Sequence, residues 1–396
     1  MPHPFTHFAS ILIFFILSCP VLKAQRYEKL HRKAILVDTH NDVLIATMQG
    51  LDIATDLTGK THSDLARFKK GSVDAQIFSV WCDETYGPGK AYSYANAEID
   101  SLYAIIARNP NKIMLTRTPA ELEQAVKQKK LAALIGVEGG HMIEDNLTYL
   151  ENLYNRGARY LTLTWNNSTS WATSAKDETE GNLPASKKGL TSFGKQVVQR
   201  MNQLGMLVDV SHTGEKTFWD VINVTSKPVL VSHSCVYNIT PQFRNLKDDQ
   251  IKAVAKNAGV IHLNFYSGFL DKDFLNREKQ FFTRHKSEID SLTNLKWQIF
   301  DIQSFLVKKY AVEVQGLRPP LSALLDHLDY IVKLVGVDYV GLGSDFDGIT
   351  SAPQGLDDVT SFPLITKELL ARGYSKKDIA KILGGNFIRV FRANAV

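Results

Sequence analysis

Histidines and carboxylates stand directly after several short apolar runs of this chain. His40 and Asp42 follow the first run, and two side chains at this spacing in extended backbone point the same way and can share one ion. Glu138 follows the third run and precedes two glycines, which let the chain turn tightly beside a crowded site. Imidazole nitrogen and carboxylate oxygen suit zinc or a similar divalent ion, so these residues are candidate metal ligands.

Three further residues of the same kinds, His212, His233 and Asp345, follow later runs. Taken singly, each has a structural explanation, because acidic residues before glycine often form turns and lone histidines at strand ends are often structural. Taken together with the first three, they place six such residues at the ends of five of the eight runs. Unpaired charges gathered in this way would repel or need partners, so we interpret the set as a divalent metal site. No cysteine joins the set, which disfavours a structural zinc site.

The chemistry that such a site supports is hydrolysis. Two ions a few Å apart can share one carboxylate and one water, and Glu138 suits the shared carboxylate. The ions would lower the pKa of that water from ~15.7 towards ~7, which provides a metal-bridged hydroxide at neutral pH. Asp345 is the natural general base and then acid, because it can take the proton of the water and pass it to a leaving amine.

The elements that would position these residues are short strands alternating with helices. Several of the runs are apolar at nearly every position, as strands buried on both faces should be. Stretches with helical periodicity, such as 119–130, 191–204 and 246–257, lie between them. Eight such units predict an α/β fold, a (β/α)8 TIM barrel whose chemistry sits at the C-terminal ends of the strands. The runs are 35–37, 75–80, 131–137, 160–164, 206–210, 228–231, 259–265 and 339–343.

Residues 25–396 are predicted to form one domain, although two stretches do not fit a minimal barrel. The polar stretch 176–188 contains Gly181 and Pro184 and predicts a loop. The stretch 271–315 is long, charged and mostly compatible with helix, which predicts a helical excursion after the seventh run. A solvated outer helix is the favoured interpretation of this excursion, and a lid or a subunit contact is the alternative.

The first 24 residues have the features of a signal peptide. Their apolar run, 11–17, is shorter than the roughly 20 residues that a membrane span needs. Leu22-Lys23-Ala24 then offers a small residue where a signal peptidase would cut. A secreted or periplasmic protein is therefore expected, with lipid attachment at Cys19 as the less favoured alternative and no transmembrane span in the mature chain.

Charge and cysteine content say little more about partners. The formal net charge is +5, and no basic stripe interleaves with aromatic residues, so no nucleic-acid partner is expected. Cleavage after Ala24 would leave Cys82 and Cys235, which is not a disulfide scaffold. The two cysteines either pair or stay as small buried side chains.

The chain resembles the membrane (renal) dipeptidase family of the amidohydrolase superfamily over residues 37–391. The resemblance implies a binuclear zinc barrel that hydrolyses dipeptides, and it suggests a homodimer. The stretches that carry it are 37–42, 136–141, 159–164, 205–212, 231–234, 244–245 and 341–348.

The resemblance also divides the metal ligands between two ions. It implies that His40 and Asp42 hold one zinc ion. It implies that His212 and His233 hold the second, with Glu138 as the bridge between them. The resemblance thus implies the same five ligands that the residue types indicate and assigns them to two ions.

Two substrate-related residues follow from the resemblance, which also identifies Asp345 as the acid/base aspartate. Arg244 corresponds to the arginine that grips the C-terminal carboxylate of the substrate, a role that suits the guanidinium fork. Without the resemblance, a surface salt bridge would be the favoured interpretation of Arg244.

Trp165 departs from the family, which usually has a histidine at this position. That histidine is thought to contact the scissile carbonyl, whereas indole can donate one hydrogen bond but carries no charge. Trp165 is therefore expected to form a wall of the substrate pocket, with oxyanion stabilisation falling mainly to the metals and to Asn166 or Asn167. The departure keeps open a related amidohydrolase activity on a lactam, an N-acyl amino acid or an ester. A non-catalytic binding protein is a third hypothesis, but it predicts lost ligands, and this chain retains them.

Overall fold

Nine parallel strands form the sheet of the structure, a computed structural model that describes residues 27–181, 183–297 and 299–396. Hydrogen bonding runs in the order β2-β1-β9-β8-β7-β6-β5-β4, and β2 also pairs with β4, which closes eight strands into a barrel. The predicted TIM-barrel fold is confirmed. The strands are β1 (Val37–Asn41), β2 (Ala75–Val80), β3 (Ile113–Leu115), β4 (Leu131–Glu138), β5 (Ala158–Thr162), β6 (Leu207–Asp209), β7 (Leu230–Ser234), β8 (Val260–Leu263) and β9 (Val340–Leu342).

The extra strand, β3, was not predicted from the sequence. It pairs with the first three residues of β4, whose later residues pair with β5, so it lies outside the closed barrel. Three residues are too few to show a strand periodicity, which explains why the pattern missed it.

Three strands extend further towards their C-terminal ends than the apolar runs predicted, and β4 does so by one residue, Glu138. β1 continues through His40, and β7 continues through His233, where the runs were expected to end at 37 and 231. The prediction treated polar side chains as marking the end of a strand. The backbone ladder continues through them because a polar side chain at the barrel mouth can face the site rather than the core.

Helices pack around the barrel and connect its strands. Ser192–Leu204 is typical: the Thr191 hydroxyl accepts a hydrogen bond from the N–H of Gly194 at its start, and Gly205 ends it with a φ of +76°. Its inner face buries Val197 and Met201 in the core around the barrel. The other barrel helices are Val43–Met48, Leu65–Lys70, Ala91–Arg108, Pro119–Lys127, Leu147–Asn155, Glu215–Val224, Asp248–Lys256, Ser267–Leu270, Leu321–Val335, Phe362–Ala371, Lys376–Ala380 and Asn386–Asn394.

The prediction of a loop over 176–188 is partly wrong. A short helix, Ala175–Thr179, begins there because the Ser174 hydroxyl accepts a hydrogen bond from the N–H of Asp177, and a 3-10 turn follows at Ala185–Lys187. The sequence did not predict this helix, because the stretch is polar and shows no helical periodicity. The helix begins instead at a single capping residue, Ser174.

The stretch 271–315 is helical and has a small apolar core of its own. Phe281, Ile302 and Leu306 are buried together, apart from the main core of the barrel. No helix among the described residues is long and apolar enough to cross a membrane. The helices are Phe274–Arg284, Lys286–Asn294, Ile299–Lys309 and Ala311–Leu317.

Within the described part of the chain, Cys82 and Cys235 are both buried and free. The open question of their pairing is therefore answered in favour of two separate thiols. Cys19 and the predicted signal peptide, residues 1–24, lie outside the described residues.

Candidate metal centre

Four predicted residues meet around a fifth, the buried carboxylate of Glu138, at the C-terminal mouth of the barrel. His40 Nε2 lies 3.4 Å from Asp42 Oδ2 and 3.4 Å from Glu138 Oε2. On the other side, Glu138 Oε1 lies 2.9 Å from His212 Nε2 and 3.4 Å from His233 Nε2. Glu138 therefore turns one oxygen to each half of the cluster, which is the arrangement of a bridging ligand.

Asp345 completes the cluster beside His40. Its Oδ1 lies 3.9 Å from His40 Nε2, and its other oxygen accepts a 2.7 Å hydrogen bond from the Asn264 amide. The ligand atoms of His40, Asp42 and Asp345 all lie within 4.8 Å of one another. The carboxylate thus faces the site with one oxygen while the other is held in place.

The spacing of the donor atoms fits a divalent metal. Two ligand atoms on one tetrahedral zinc ion, each at about 2.0–2.1 Å, lie about 3.3–3.4 Å apart, which matches three of the four contacts with Glu138 and His40. The Nε2 atom of His40 is buried and has no hydrogen-bond partner among the residues that the structure describes. The Nε2 atoms of His212 and His233 are only 3.0 Å apart, so their lone pairs repel unless a proton or a cation lies between them.

Burial and charge prepare these groups to bind a cation. Burial raises the pKa of Glu138, but the neighbouring histidines, His40 foremost, hold it well below its ordinary value. Burial lowers the pKa of His212 to about 4 and also brings that of His233 well below its ordinary value. The site therefore presents an ionised carboxylate to two neutral imidazoles at pH 7.

Asp345 behaves differently from Glu138. Burial raises its pKa well above the ordinary value, and although His40 opposes this, the nearby Asp42 and Glu138 carboxylates add to it. A carboxyl group that favours its proton is suited to proton transfer. The pKa values of Glu138 and Asp345 are thus shifted in opposite directions within one cluster.

The backbone at the site adopts conformations that ordinary residues seldom take. His212 and Asp345 have φ values of +62° and +60°, which cost energy for side chains with a Cβ and often mark functional sites. Gly348 is required for space, because a Cβ there would lie 2.3 Å from Asp42 Oδ2 and 2.7 Å from Asp345 Oδ1. The Gly-Ser-Asp-Phe-Asp-Gly segment after β9 therefore fixes the position of Asp345.

Arg244 lies buried beside the cluster, with 4% of its surface exposed. Its guanidinium donates to the Ser234 hydroxyl at 3.3 Å and to the His233 carbonyl at 3.2 Å. Its Nε has no hydrogen-bond partner, and it pairs with no carboxylate among the described residues. A cavity of about 390 Å³ is bordered by Arg244 and His212. The surface salt bridge considered for Arg244 is therefore wrong, because the residue is buried and forms no ion pair with the described carboxylates.

Trp165 lies on the side of the site formed by β4. Its Cβ is 3.4 Å from the position that a Cβ on Gly139 would occupy, next to Glu138 in the chain. Its ring packs edge-on against Trp81, with centroids 4.9 Å apart. Asn166, the next residue, places its amide oxygen 3.2 Å from His212 Nδ1 and so supports a histidine of the cluster.

Several polar residues near the cluster were missed from the sequence. Tyr160, Ser232 and Asp209 lie on β5, β7 and β6, and Tyr160 and Ser232 contact histidines of the cluster directly. Their only sequence signal is that they are polar within otherwise apolar strands. That signal does not say which neighbour each one contacts.

The fold and the cluster define a class, a TIM-barrel metal-dependent hydrolase. The family model of the membrane dipeptidases, peptidase family M19, matches residues 24–396. An uncharacterised dipeptidase of Schizosaccharomyces pombe is 31% identical over 94% of this chain and 83% of its own length. Dipeptidase 3 of Mus musculus is 30% identical over 95% of this chain and 67% of its own length.

A solved structure agrees with these relatives. The probable dipeptidase PvdM of Pseudomonas aeruginosa superposes with a TM-score of 0.79 at 26% identity, covering 95% of this chain and 99% of that one. The chain belongs to the membrane dipeptidase family and is a metallo-dipeptidase of that family. The expected family is thereby confirmed.

Proposed function

We propose that the protein is a binuclear zinc dipeptidase that hydrolyses the single amide bond of a dipeptide. The observation that carries the proposal is a buried arginine, without a carboxylate partner in the described part of the chain, beside a histidine–carboxylate cluster. His40 and Asp42 would hold one ion, His212 and His233 the other, and Glu138 both. When bound, the ions would supply Lewis acidity and lower the pKa of water.

Asp345 carries the proton in this proposal. Hydrolysis adds the oxygen of water to the scissile carbonyl carbon, breaks the bond to nitrogen and moves one proton from the water to the leaving amine. Asp345 Oδ1 faces the cluster, and the Asn264 amide holds the other oxygen, so one carboxylate oxygen stays available for both transfers. Its raised pKa makes the carboxylate a better acceptor for the proton of the water, which it then passes to the amine.

Arg244 would bind the C-terminal carboxylate of the substrate. The guanidinium is fixed by Ser234 and the His233 carbonyl, so its remaining donors are already oriented before substrate arrives. A fixed distance between this cation and the cluster would select substrates in which one residue separates the cleaved amide bond from the C-terminal carboxylate. Dipeptides meet that requirement.

Trp165 favours a second candidate, a related amidohydrolase acting on lactams, N-acyl amino acids or esters. Its indole packs against that of Trp81, and it would offer an apolar surface at the position where the family usually has a histidine. A comparison of kcat/KM for dipeptides and for these compounds distinguishes the two candidates. A preference for uncharged esters would remove the proposed role of Arg244.

The direct test incubates the purified, zinc-loaded protein with a panel of L,L and L,D dipeptides and measures the amino acids released. We expect hydrolysis, and its absence with two ions bound per chain would refute the proposal.

We also propose that the protein is secreted or periplasmic, which fractionation of expressing cells and the N-terminal sequence of the mature chain would test.

A further inference from the structure

Two of the cluster histidines turn their second ring nitrogen, Nδ1, to a hydroxyl group. His40 Nδ1 lies 2.8 Å from the Tyr160 hydroxyl, and His233 Nδ1 lies 2.7 Å from the Ser232 hydroxyl. A neutral imidazole carries one proton, and only the nitrogen without it can bind a metal ion. The direction of these two hydrogen bonds therefore decides whether each Nε2 can act as a ligand.

The surroundings of Tyr160 set the direction of the first hydrogen bond. Its hydroxyl has one proton and lies 3.3 Å from the Thr39 carbonyl, which can only accept. When the hydroxyl donates to Thr39, His40 Nδ1 must carry a proton and donate to the Tyr160 oxygen. The lone pair of His40 then stays on Nε2, which is the buried atom without a partner. Gly136 makes room for this ring, because a Cβ there would lie 2.0 Å from it.

A buried carboxylate sets the direction of the second hydrogen bond. Asp209 accepts 2.6 Å hydrogen bonds from the hydroxyls of Ser232 and Thr162. It also accepts from the backbone N–H groups of Ser211 and Ser232, at 3.1 Å and 2.9 Å. The proton of Ser232 is thus directed to Asp209, and the Ser232 oxygen is left to accept the Nδ1–H of His233.

We propose that Tyr160 and the Asp209–Ser232 pair are positioning residues that hold His40 and His233 in the tautomer with the proton on Nδ1. This inference rests on the proposed two-metal function and adds a prediction to it. Since His40 and His233 are assigned to different ions, each hydroxyl acts mainly on one ion. Loss of such a partner lowers metal affinity about 10- to 100-fold.

The test compares Tyr160→Phe and Ser232→Ala with two matched controls. Tyr103→Phe and Ser101→Ala remove hydroxyls from the outer helix Ala91–Arg108, where they bond to a backbone carbonyl and to another hydroxyl. Metal-free protein is titrated with zinc against a chelator of known affinity, and two dissociation constants are fitted for each variant. The melting temperature of each metal-free variant is recorded alongside.

We expect each test variant to weaken one of the two binding events by about 10- to 100-fold and to leave the other, like both controls, within about twofold. Both affinities unchanged in both variants would overturn the inference while leaving the proposed function in place. Equal weakening at both sites, with a lower melting temperature, would also overturn it, because the hydroxyls would then be structural. A wild-type protein that binds no zinc would instead overturn the proposed function.

Discussion

Replacing Arg244 by methionine should remove the preference of the enzyme for a free C-terminal carboxylate. Methionine keeps much of the apolar stem, so packing changes less than it would with alanine. Arg244 is 4% exposed, so its guanidinium would bind a substrate carboxylate out of contact with bulk water. Burial lowers its pKa only to about 10, and the group stays charged at pH 7.

The magnitude follows from that burial. Removing one partner of a buried, hydrogen-bonded charge pair costs about 2–5 kcal/mol, or roughly 30- to 5,000-fold in kcat/KM. The free enzyme should gain stability, because the arginine is a buried charge without a carboxylate partner among the described residues. The assay compares a dipeptide with its C-terminal amide on wild type and on Arg244→Met. A variant that still prefers the carboxylate by the wild-type factor would refute the assigned role.

Three further variants test the acid/base carboxylate, the packing at the metal site and an acid directly before β2. Asp345→Asn should lower kcat by about 10²- to 10⁴-fold while zinc content, measured by mass spectrometry, stays unchanged; loss of the zinc would assign the residue to metal binding instead. Gly348→Ala should weaken zinc binding and activity at least about tenfold, since its Cβ would collide with Asp42, whereas Gly316→Ala, which meets nothing within 4 Å, should change neither. Burial raises the pKa of Asp74 to about 6, so its ionisation destabilises the fold as pH rises from about 4 through 6. The asparagine variant at that position should therefore raise the unfolding free energy by about 2–3 kcal/mol at pH 7.5 and by little at pH 4, and equal effects at both would contradict the assignment.

The barrel could be predicted from the sequence because its strands are buried on both faces and are therefore almost wholly apolar. The C-terminal ends of those strands were predicted less accurately. His40 and His233 continue the ladder of β1 and β7, and a polar side chain within a strand resembles the residue that ends one. β3 was not predicted, because three residues are too few to show the periodicity of a strand.

Some residues of the candidate site could likewise be predicted from the sequence, and others could not. His40 and Glu138 could be identified because their residue types are suited to metals and they follow apolar runs. Tyr160, Ser232 and Asp209 could not, because their importance comes from a contact with a residue on another strand. Tyr160 lies 120 positions from His40 in the chain, and only the closed barrel brings the two together.

Zinc content and dipeptide hydrolysis, measured on one preparation of the full chain, test directly whether the protein is a two-zinc dipeptidase. Metal is removed with a chelator, zinc is restored in steps, and bound zinc and the rate of amino-acid release are followed together. We expect activity to rise with zinc occupancy and to be complete at two ions per chain. Two bound ions without hydrolysis of any dipeptide, or full hydrolysis in the metal-free protein, would contradict that expectation.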